Sequence, residues 1–99
     1  MINAKEELLA HVKDVGKQVE FVSISFVEKY DKPPIKIKGT LKEVLPLFNF
    51  KYDNGYGGQF LFGYIWYTDG TWSSRSEYDG SEWWQYNECP DRNVKIETY

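Results

Sequence analysis

The chain has 99 residues, eighteen per cent of them aromatic, twenty-seven per cent charged, and a formal net charge of −3. That length suits one domain with a small core, and the balance of apolar and charged residues is that of a folded protein, which sets disorder aside. The longest apolar runs fall far short of the roughly 20 residues a bilayer crossing needs, and one cysteine builds neither a disulfide framework nor a thiolate metal site.

In chain order, Asn3 followed by Glu6 is a variant capping box that predicts a helix start. Leu8, Leu9, Val12 and Val15 recur at helical spacing, and Gly16 is placed to end the element. Val19 to Tyr30, rich in Val, Ile and Phe, reads as a strand with Val22, Ile24 and Phe26 on one face. Asp31-Lys32-Pro33-Pro34 stops it. Ile35, Ile37 and Leu41 then alternate with Lys36, Lys38 and Thr40, predicting a second strand paired to the first as a hairpin. In Leu41 to Phe50, Lys42 to Leu45 fits one helical turn, but Pro46 interrupts it, and an irregular or strand conformation is the expectation. Tyr52 to Gln59, with Gly55, Gly57 and Gly58, reads as a mobile loop.

Gly63 to Trp84 holds all four tryptophans and two Asp-Gly pairs. Phe60 to Thr68, Thr71 to Tyr78 and Glu82 to Glu88 read as strands joined by two-residue turns at Asp69-Gly70 and Asp79-Gly80, an antiparallel meander. Cys89-Pro90 should close it, with Cys89 a small half-buried residue, and Val94 to Tyr99 suggests a last edge strand. The fold expected is a single α+β domain over residues 1–99, an N-terminal helix packed on a mainly antiparallel β-sheet of five to six strands.

On the middle strand of the meander, Trp72, Ser74, Ser76 and Tyr78 share one face. The expectation is that they point inward, the serines leaving room for Trp66 and Trp83, while Thr71, Ser73, Arg75 and Glu77 face water. Trp83 and Trp84 are adjacent, so they point to opposite sides of a strand and one needs a cover from elsewhere. Tyr67, Arg75, Trp83, Trp84 and Tyr86 are therefore the candidate contact residues, of the types most frequent at interaction hot spots.

Catalysis finds little support. His11 reads as a partly exposed helix residue. Asp69 and Asp79 are turn formers at opposite ends of a strand, roughly 20 Å or more apart, beyond shared proton chemistry. The glycines match no phosphate loop. No enzyme activity, metal or cofactor is expected.

Tyr64-Ile65-Trp66-Tyr67-Thr68-Asp69-Gly70-Thr71-Trp72, with Glu77 to Trp84 and Cys89-Pro90, resembles the Trp-rich C-terminal ends of small uncharacterised bacterial and prophage proteins. The resemblance covers about a third of the chain and carries no defined functional motif. It implies a small intracellular protein of mobile-element origin that binds something.

The expected function is a noncatalytic protein-binding or self-associating module. Up to Phe50, eight lysines face seven acids; beyond it four basic residues face eight. The aromatic half is thus the acidic half, which favours a basic partner surface. Carbohydrate binding through exposed aromatics is the alternative. Single-stranded nucleic acid is disfavoured because no Lys or Arg cluster lies beside the tryptophans. A cytoplasmic location is expected from the lone cysteine and from an N-terminus without a basic region, apolar stretch and cleavage site.

Overall fold

In the computed structural model, which describes residues 1–27, 32–52 and 59–88, a helix packs on one face of a five-stranded antiparallel sheet. The element order is β1 (Ile2–Asn3), α1 (Ala4–Val15), β2 (Val19–Phe26), β3 (Ile35–Gly39), α2 (Leu41–Val44), a 3-10 turn (Leu45–Leu47), β4 (Lys51–Tyr52), β5 (Leu61–Tyr67), β6 (Trp72–Tyr78) and β7 (Ser81–Asn87). The main sheet runs β3-β2-β5-β6-β7, and β1 pairs with β4 in a small second sheet. No helix among the described residues is long and apolar enough to cross a membrane.

Helix α1 forms where the caps place it. The Asn3 side chain accepts the Glu6 amide at 3.0 Å, and Gly16, at φ 73°, donates its amide to Val12. A left-handed residue there ends the helix without strain only because it lacks a Cβ. Ala4 and Leu8 are buried, whereas Leu9 lies on the exposed side. The buried layer beneath the helix is largely aliphatic: Val22 and Ile24 from β2, Ile37 from β3, Leu61 and Ile65 from β5.

The stretch after β3 departs from the expectation of strand or irregular chain. Thr40 and Glu43 form a complete capping box, so Leu41–Val44 is helical and continues into the 3-10 turn. Pro46 is tolerated because it sits at the start of that turn, where its missing N–H has no partner to lose. Val44 and Phe48 are fully buried as a result.

Both expected turns of the meander form, with different geometry. At the second, Tyr78 pairs with Ser81 and both Asp79 (φ 51°) and Gly80 (φ 86°) are left-handed, as a two-residue turn requires. The first is longer: the Tyr67 amide donates to Thr71 and the Gly70 amide to Tyr67, so Thr68 joins Asp69 and Gly70 in the loop. Asp69 accepts the Thr71 amide and pairs with Lys17, which fastens the end of α1 to this turn. The loop expected between Tyr52 and Gln59 lies, apart from those two residues, outside the described residues, as do Cys89, Pro90 and the expected final strand.

One register decides which side of the meander is core. Ile65 lies opposite Ser73 and Trp66 opposite Trp72. Since residues paired across strands share a face, burying Ile65 with the aliphatic layer buries Ser73 and turns Trp66 and Trp72 outward. The inward placement of Trp72 and Tyr78 is thereby corrected: Ser73 is 0% exposed and Arg75 9%, while Tyr78 is 76% exposed.

Candidate functional site

Arg75 reaches the helix-covered side because its charge is answered there. Its Nη2 donates to Glu82 at 2.7 Å and to the Tyr52 hydroxyl at 2.8 Å, and its Nη1 donates to Glu7 of α1 at 3.1 Å. The Tyr52 hydroxyl donates in turn to Glu7. The guanidinium also lies 5.1 Å from the centre of the Trp84 ring and 5.8 Å from that of Tyr52. Beyond Tyr64 and Ser74 strands β5 and β6 part, and Glu82 occupies the gap, accepting the amides of Phe60 and Leu61 at 2.7 and 3.0 Å. Burial, first, and the bond to Glu7 push the Tyr52 hydroxyl's pKa up, so it stays a donor.

A second polar chain lies beside it, with His11 Nε2 2.7 Å from Ser73 Oγ, which is itself 2.7 Å from the Tyr67 hydroxyl. His11 stacks on Trp84, its centroid 6.3 Å away. Burial lowers the His11 pKa, opposed by Asp14 and reinforced by Arg75. These polar groups bond to one another within the covered layer, while Arg75 Nε and Trp84 Nε1 are buried there without a hydrogen-bond partner among the described residues. Their geometry is that of a structural network.

Of the five expected contact residues, Tyr67, Arg75 and Trp84 are thus sealed inside the monomer, Tyr86 is half-buried, and only Trp83 is exposed. Trp83 and Trp84 do point to opposite faces, and α1 with the Arg75 network covers Trp84.

The exposed aromatic surface lies on the other side of the sheet. Phe21, Phe62, Tyr64, Trp66 and Trp83 are each between 38 and 49% exposed, with Trp72 half-buried among them. Phe21 arrives on this face through a bulge between Val19 and Phe21 that sets it opposite Trp66. Phe21, Trp66 and Trp72 therefore form one row across three strands. Tyr64 stacks on Trp66, with centroids 5.7 Å apart and planes 20° apart, and Trp72 follows at 6.2 Å. Sequence reasoning missed Phe21, Phe62 and Tyr64, although Phe62, Tyr64 and Trp66 alternate along β5 with Leu61, Ile65 and Tyr67. The alternation alone does not tell which set is inside.

Beside this row run serines, Ser23 and Ser25 on β2 and Ser74 and Ser76 on β6. Those on β6 are already bonded within the face: Ser76 donates to Gln85 at 2.8 Å and Asn87 donates to Ser74 at 2.9 Å. A depression of about 390 Å³ opens where Ser23, Ser25, Lys36, Lys38, Phe62 and Tyr64 meet. Lys36 and Lys38 stand at its β3 edge, and among the described residues no register-paired strand position on this face carries a carboxylate. The acidity of the C-terminal half lies elsewhere, with Glu82 buried and Glu77 on the opposite side of β6 from Trp72 and Tyr78.

No protein-family model matches the chain, and no curated protein or solved structure matches it at a significant level.

Proposed function

We propose that the chain is a noncatalytic binding module that docks a protein surface on the open face of its five-stranded sheet. The observation that carries this reading is the ring row of Phe21, Trp66 and Trp72, with Phe62, Tyr64 and Trp83 around it, on a face that no described element covers. Contiguous exposed apolar patches of this kind mark interaction sites. A cytoplasmic setting belongs to the same proposal and rests on the lone cysteine.

Ring orientation favours a protein over a sugar. Tyr64 and Trp66 turn their faces to each other, so they present edges to the outside rather than a flat plateau. The Ser76–Gln85 and Asn87–Ser74 pairs likewise leave fewer polar groups free for hydroxyl recognition. Two lysines at one edge are a small electrostatic footprint for a nucleic acid backbone. Among the described residues no register-paired strand position on this face carries a carboxylate, which favours an apolar partner over the basic one expected from composition.

The test is the Tyr64→Ser/Trp66→Ser double variant, checked for native circular dichroism. It should lose both retained protein partners and self-association. If both survive the substitution, the open face is not the binding surface.

A further inference from the structure

We infer that the free edge of β3 receives a strand from a partner protein, an extended segment in which acidic and apolar residues alternate. This site does not depend on the ring row. β3 is the end strand of the five-stranded sheet, and among the described residues it pairs with β2 alone. Such an edge presents backbone donors and acceptors that another strand can take up.

The ladder fixes which groups those are. The Val27 amide donates to the Phe60 carbonyl at 2.9 Å, and the Leu61 amide, opposite Phe26, turns away from β2 to Glu82. Bonding residues alternate along an antiparallel strand, so Ser23 and Ser25 bond toward β5 while Ile24 and Phe26 bond toward β3. The partners of these last two, Ile37 and Ile35, therefore direct their backbone groups at β2. The amides and carbonyls of Lys36 and Lys38 point out of the sheet.

The two faces of this edge differ in chemistry. On the open face stand Lys36 and Lys38, beside the depression between them and Phe62, and among the described residues no carboxylate pairs with either. On the helix-covered face a second depression of about 330 Å³ is lined by Phe26, Ile35, Ile37, Leu47 and Phe50, and Lys51 is the one charged residue there. Ile35 and Leu47 are exposed, whereas Ile24, Leu61 and Ile65 on the strands inward of them are buried. Side chains of an added strand alternate between the same two faces. Those level with Lys36 and Lys38 are therefore acidic, and those level with Ile35 and Ile37 are apolar and fill the second depression.

Charge excludes the simplest competitor. Two β3 edges paired antiparallel about Ile37 would set Lys36 opposite Lys38 twice on one face, and like charges directly opposite are destabilising. The lysines thus close this edge to its own image and open it to carboxylates.

Fluorescence polarisation tests this on the full chain, with a labelled, end-capped peptide of alternating Glu and Val and a second peptide holding the same residues in two blocks. The alternating peptide should bind at least about tenfold more tightly than the block peptide. Antiparallel pairing puts each Glu opposite a lysine whose backbone faces outward, so N-methylation of the Glu amides should abolish binding and N-methylation of the Val amides should leave it. Lys36→Glu/Lys38→Glu, with native circular dichroism, should weaken the Glu/Val peptide at least about tenfold and gain binding to a Lys/Val peptide. Equal binding of the alternating and block peptides, or no saturation up to millimolar peptide, overturns the added strand. So does an equal loss from the two methylation patterns. A charge-reversed variant that binds the Glu/Val peptide as the wild type does overturns the acidic partner.

Discussion

The Glu82 carboxylate lies 2.7 Å from the Arg75 guanidinium with both side chains sealed from solvent. The same carboxylate takes the amides of Leu61, the first residue of β5, and of Phe60 just before it. One ion pair thus supports the meander, the helix and the start of the central strand together. Removing Glu82 leaves the buried Arg75 with Glu7 as its one acid, and removing Arg75 leaves the buried Glu82 with two amides and no cation, so a loss of about 3–5 kcal/mol is expected. Urea denaturation of Glu82→Ala and Arg75→Ala should show this, and an unchanged midpoint for either would remove the network from any structural role.

The position of His11 predicts a stability that depends on pH. Burial depresses its folded pKa below the ordinary 6.5, so the unfolded chain takes up the proton first as pH falls. The contribution of the neutral ring is complete above about 6.5 and is lost as pH falls through the lowered folded value. Asp14 opposes the shift and Arg75 adds to it, so high salt should weaken both influences and leave the desolvation effect. Thermal melts of the wild type should decline more steeply than those of His11→Gln between about pH 7 and about pH 5. Parallel profiles would show that His11 does not titrate on folding.

Gly63 holds a φ of 150°, and a Cβ there would collide with the Ser23 carbonyl oxygen of β2. That oxygen belongs to the backbone and cannot swing away. Gly63→Ala should therefore destabilise the protein by about 2 kcal/mol or more through strain and parting of β2 from β5. A denaturant midpoint within error of wild type would show that the strands can separate without loss.

Indole exposure gives a direct reading of which face is open. With three tryptophans replaced by phenylalanine in turn, and at concentrations that keep the chain monomeric, Trp66 and Trp83 should be quenched readily by acrylamide. Trp84 should be several-fold less accessible, since it is 6% exposed against about 40% for the other two. Equal quenching of Trp83 and Trp84 would contradict the placement of the helix on the Trp84 side.

Element positions were legible because their signals are local. Asn3 and Gly16 bracket α1, Asp79-Gly80 makes a two-residue turn, and the spacing of the two turns leaves room for one strand between them. Leu41 to Phe50 misled because Pro46 looks like a stop, whereas the capping box at Thr40 and Glu43 starts a helix just ahead of it. That box was also readable, and it outweighed the short alternation that follows.

The contact surface was not legible in the same way. Alternation divides β5 and β6 into two sets of side chains, but both sets on β5 are apolar, and on β6 the set holding Ser73 and Arg75 looks the wetter one. Only nonlocal partners reverse that impression: Glu7 from the helix, Tyr52 from β4 and Glu82 from β7 surround the Arg75 charge. The amino-acid order alone determined where strands, turns and the first helix lie, since propensity, capping and turn chemistry act within a few residues. Which side of the sheet the helix covers, and hence which rings meet solvent, was decided by tertiary structure, because a buried charge is tolerated only where distant residues converge to pair it.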